Sequence, residues 1–84
     1  FDAAAAERLG LVNKVVPAAA LAAETQKLAE RLAAGPTAVY GRTKALLQRS
    51  LDNPLESQLQ REAEAFAQSA TEPDFAEGIR AFVE

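Results

Sequence analysis

Helix breakers recur along this chain at short intervals, and they limit the length of any helix it can form. Gly10, Pro17, Gly35-Pro36, Asn53-Pro54 and Glu72-Pro73 cut the 84 residues into six short segments. Proline removes a backbone donor and clashes with the preceding turn, and glycine is favoured just past a helix end. Residues 3–9 (AAAAERL) favour helix by propensity, with Gly10 placed to end it. Leu11 to Val16 (LVNKVV) is too short and too β-branched for a helix. It reads as an extended stretch or short strand closed by Pro17.

Four helical patterns follow. Between Ala18 and Ala34, Leu21, Thr25, Leu28 and Leu32 recur at 4-3-4 spacing, opposite a face with Glu24, Lys27, Glu30 and Arg31. Gly35 ends this helix and Pro36 suits the first turn of the next, whose stripe is Val39, Thr43, Leu46, Leu47, Ser50 and Leu51. Asn53-Pro54-Leu55-Glu56 predicts a third helix with Asn53 as N-cap and Glu56 in a variant capping box. Its stripe runs through Leu55, Leu59, Ala63, Phe66 and Ala70. Thr71 to Asp74 can cap a last helix, with Phe75, Ile79, Phe82 and Val83 on one side. The predicted fold class is all-α: a short helix and an extended piece, then about four helices of ~10 to 17 residues with short connections.

The apolar residues are unusual in size. Of 41, 20 are alanine. Small faces let helices approach closely but bury little area each, at about 25 cal/mol per Å². A domain this short buries only about 60–65% of its unfolded surface, and with no Cys or His there is no disulfide or ordinary zinc site to brace it. Oligomerisation is therefore expected from composition. The chain also starts at Phe1 and contains no Met, which leads us to expect a piece of a longer protein.

The net charge is −3, and Lys and Arg occur singly along the chain. A nucleic-acid partner is not expected, since binders usually carry a basic stripe. No apolar run approaches the ~20 residues of a membrane span and no signal-peptide pattern opens the chain. A cytoplasmic location is the expectation, and a membrane partner is not expected.

No catalytic constellation and no metal site can be read from these residues at the spacing such sites need. Without His or Cys, a Ser-His-Asp or Cys-His arrangement is impossible within the chain. Glu62 and Glu64 lie two apart on a helix and face different ways. Glu72 and Asp74 flank Pro73 at a helix start, where the helix dipole favours negative charge, so capping is preferred to catalysis. Gly35-Pro36 and Gly78 lack any phosphate-loop spacing. Arg42, Lys44 and Arg49 read as a solvated helix face, with contact to a ligand phosphate as the alternative.

Read as motifs, the chain resembles the C-terminal region of the enoyl-CoA hydratase/isomerase (crotonase) superfamily. Ala5 to Pro17 (AAERLGLVNKVVP) is similar to the family's short helix and "GLV-x-x-VVP" stretch. Leu32 to Pro36 with Lys44 resembles its "LA-x-GP … K" segment. Glu62 with Phe66, then Asp74-Phe75, Glu77-Gly78-Ile79 and Ala81 to Glu84, resembles its "E-x-x-x-F … DF-x-EG-I-x-AF-x-E" ending.

The resemblance implies a parent with a β/β/α spiral core that carries the acyl-CoA pocket and the catalytic acids. Residues 1–17 would be the end of that core, and 18–84 a helical oligomerisation domain serving a homotrimer or a hexamer. It implies acyl-CoA as substrate, no tightly bound cofactor, and hydration of a 2-enoyl thioester as the reaction. Phe66 matches an aromatic that in some members reaches the adenine of CoA held by a neighbouring subunit, and so is the one candidate cofactor-binding residue. The family ending usually continues with a Lys that contacts a CoA phosphate, whereas this chain stops at Glu84. The 84 residues alone are expected to be inactive. A self-sufficient helical interaction module remains the alternative reading of the same periodicity.

Overall fold

The first helix is defined at both ends by side chain and backbone chemistry. In the computed structural model, which describes residues 1–84, the Asp2 carboxylate accepts the Ala5 N–H at 2.8 Å. This starts α1 (Ala3–Arg8). At its other end Gly10 adopts φ +74. The Gly10 N–H donates to the Glu7 carbonyl at 3.0 Å and the Leu11 N–H to the Ala6 carbonyl at 2.9 Å. This is the double bond of a Schellman motif, which satisfies carbonyls the helix leaves free.

A Cβ at Gly10 would meet nothing within 4 Å. Gly10→Ala therefore carries the backbone penalty alone, about 1 kcal/mol for a left-handed residue. The expected result is a melting temperature lower by several degrees, with a smaller loss for Gly10→Asn. Unchanged melting in Gly10→Ala would mean that this turn is not held in the left-handed conformation.

Four more helices follow: α2 (Leu21–Ala33), α3 (Thr37–Ser50), α4 (Leu55–Ala70) and α5 (Pro73–Val83). There is no β-strand. The chain is all-α, as the periodicity predicts. The LVNKVV stretch forms no strand and bends at Leu11 and Asn13, and Pro17 leads into one 3-10 turn (Ala18–Ala20) that runs directly into α2.

The helices form two compact units, Phe1–Ala33 and Ala34–Glu84. In the first, the segment before α2 is tied to it by the Lys14 ammonium, which donates to Glu24 at 2.7 Å, while Lys27 stands 3.7 Å from the other oxygen of that carboxylate. In the second, α3 and α4 make a helical hairpin across residues 51–54, and α5 packs on α4 after the Thr71-Glu72 link. The Gln58 amide donates to the Leu46 carbonyl at 3.2 Å across the hairpin.

Three expectations at helix starts change, the first being Pro36, which is the N-cap of α3 rather than a residue of its first turn. Pro54 has ψ 156 and is itself the N-cap, so α4 begins one residue later and Asn53 lies out of reach of the free N–H groups. Its side-chain amide donates to Gln58 instead, at 3.2 Å. At α5 the cap residue is Glu72 and Pro73 is the first helical residue, but no side chain caps the helix. The Glu72 carboxylate is occupied elsewhere.

The core is almost empty. Ala6 is the one buried hydrophobic residue, and no large side chain is fully buried. The predicted stripes exist but remain open: Leu51 is 94% exposed, Leu55 74% and Phe82 91%.

Candidate functional site

The groove between α3 and α4 gathers four charged residues of the second unit, Arg42, Arg49, Arg61 and Glu64. One wall is Arg42, Ala45, Leu46 and Arg49, and the other includes Arg61, Glu64, Ala65 and Gln68. Each set has i, i+3, i+4, i+7 spacing, which places its members on one helix face. The alanines leave the groove wide, with a volume of about 370 Å³.

Arg42 is fully engaged. Its guanidinium donates to the Ser69 hydroxyl at 3.0 Å and to the Glu72 carboxylate. The hydrogen bond from Arg42 holds the Glu72 carboxyl below its ordinary range, against the opposing effect of desolvation. The same bond raises Arg42. Ser69 in turn donates to the Ala65 carbonyl at 2.8 Å. These bonds fasten α3 to the end of α4 and to the link before α5.

Of the three basic residues that the sequence put on one face, the structure brings Arg42 and Arg49 to the groove and leaves Lys44 out of it. Arg61, which sequence reading passed over, takes its place. Its signal is the polar set Arg61, Glu64 and Gln68 at i, i+3, i+7 spacing, on a different face of α4 from the apolar stripe. Glu62 and Glu64 do not converge: Glu62 accepts from Gln58 at 3.4 Å and Glu64 from Gln60 at 3.0 Å.

Phe66 lies on α4 and is 65% exposed. Its ring meets Phe75 of α5 edge-to-face, with centroids 5.8 Å apart and planes at 88°. That geometry suits the aromatic quadrupole and fixes the ring while leaving most of it open. In the first unit, the Lys14 hydrogen bond and charge, then Lys27, hold Glu24 below its ordinary carboxylate value. No group of three or more His, Cys, Asp or Glu side chains is arranged to hold a metal ion. No helix is long and apolar enough to cross a membrane.

Comparison with known proteins adds what geometry cannot. A probable enoyl-CoA hydratase of Rhodobacter capsulatus is 35% identical over 79 residues, covering 94% of this chain. The matched region is 31% of that protein, so the chain spans about a third of the relative's length. No solved structure matches the chain. The model of the enoyl-CoA hydratase/isomerase family matches residues 1–84 without interruption, and the chain belongs to that family.

Proposed function

We propose that the protein containing this chain hydrates a 2-enoyl-CoA thioester, and that these helices serve subunit association and part of the CoA pocket. The observation that carries the reading is the family match over the whole chain, together with a relative that bears the hydratase name. In that reaction water adds across the 2,3-double bond, its hydroxyl to C3 and its proton to C2. Charge builds on the thioester oxygen in the transition state, and preorganised backbone N–H groups stabilise it. The residues of this chain supply neither the amides nor the acids for that step. Their part is to hold subunits together, and the open Leu and Phe stripes support it. The proposed setting is cytoplasmic.

Phe66 is the proposed CoA contact. A fixed aromatic ring with an open surface suits a stacked purine, worth about 1–3 kcal/mol. The test uses the full-length protein and crotonyl-CoA. Hydration is expected from it and not from the 84 residues alone. Phe66→Ala should raise KM roughly 5- to 100-fold for the CoA thioester and leave KM for the matching pantetheine thioester unchanged. Full-length protein inactive on every enoyl-CoA offered would defeat the hydratase reading. An equal effect of Phe66→Ala on both thioesters would defeat the adenine contact.

A further inference from the structure

We propose that the groove between α3 and α4 binds a phosphoryl anion between Arg49 and Arg61. The argument starts from a charge imbalance. Arg49 and Arg61 line opposite walls of one groove, and none of the ion pairs in the structure includes either of them. By contrast, Arg42 at the far end of the same groove has Glu72. Two like charges on the walls of one groove repel, and a hairpin selected for stability alone would place a carboxylate beside one of them.

Glu64 lies in the groove but does not fill that role. It accepts from Gln60 and forms no ion pair with either arginine. With Arg42 balanced by Glu72, the groove keeps two cations against one anion, in a chain whose net charge is −3. A guanidinium presents planar, paired donors that match a phosphoryl group, and two of them on opposite walls can grip it from both sides. Ala45 and Ala65 line the same groove with small side chains and leave space for the anion.

The phosphoryl group can come from free inorganic phosphate or from a phosphate-bearing ligand such as a nucleotide. Titration of the full-length protein with inorganic phosphate and with ADP, followed by calorimetry in a chloride background, separates the two. Saturable binding in the millimolar range or tighter is expected. Arg49→Gln and Arg61→Gln should each weaken it roughly 5- to 10-fold, a fraction of a buried charged pair because the site is open. Glu64→Gln should tighten it by roughly 2- to 5-fold, since it removes the opposing charge. Lys44→Gln, outside the groove, is the control and should change nothing.

If ADP binds more tightly than phosphate and loses affinity in the same variants, the ligand carries its phosphoryl group on a larger body. Equal affinities point to the free anion. No saturable signal for either ligand at tens of millimolar overturns the proposal. So does binding that survives both arginine substitutions, or that Glu64→Gln weakens.

Discussion

If the subunit association proposed above is correct, Ile79→Asp is expected to shift the full-length protein towards smaller species, with an association constant lower by at least roughly 100-fold. Ile79 sits in the middle of α5, on the stripe shared with Phe75, Phe82 and Val83, and is 52% exposed. If nothing covers that stripe, a polar residue there costs little, because surface substitutions usually fall within about 0.5 kcal/mol. If a second subunit covers it, the change removes about 1.5–3 kcal/mol of apolar burial and forces a carboxylate out of water as well. In a symmetric assembly the loss recurs at every copy of the interface. Sedimentation velocity over a concentration series reads the difference, and Gln60→Asp on the polar side of α4 serves as control. Identical distributions for Ile79→Asp and the unaltered protein would show that the α5 stripe is not a subunit contact.

Arg42→Met is expected to lower the melting temperature at pH 7 by several degrees and to flatten its dependence on acid. The Glu72 carboxyl lies below its ordinary value of 4.5 because Arg42 bonds to its charged form. The unfolded chain therefore binds more protons than the folded one as pH falls through that region. The stability from this pair is complete above about pH 4.5 and drains away as pH drops towards the lower folded value. Glu24, also lowered, loses stability in the same direction. In Arg42→Met the Glu72 share is already gone, so its melting temperature and that of the unaltered protein should converge as pH falls below about 4.5. A constant gap between the two curves across that range would show that Arg42 acts by packing rather than through the Glu72 charge.

Glu72 beside Pro73 has the pattern of a helix cap, and its backbone does sit at the cap position of α5. Its side chain goes to a residue 30 positions earlier, because the α3–α4 hairpin returns the chain to Arg42. Asn53 misled in the same way: the expected cap depended on Pro54 being helical, and its ψ of 156 moves the helix start one residue on. For Phe66, the stripe position was legible, but the perpendicular partner Phe75 lies across a turn whose angle no local pattern specifies.

The helices themselves, their order and most of their ends were already written in the chain. Proline geometry, the Gly10 turn and 3.6-residue periodicity act over one or two turns, so neighbouring residues suffice to set them. The family motifs are likewise linear, and they survive without any folded structure. Tertiary structure alone brought Arg42 to Glu72, set Arg49 against Arg61, and showed that within the chain nothing larger than alanine is buried. These depend on how helices cross and on which faces find a neighbour, which is a balance of buried area against chain entropy summed over distant residues. With alanine as half of the apolar side chains, that balance leaves the stripes of these helices open.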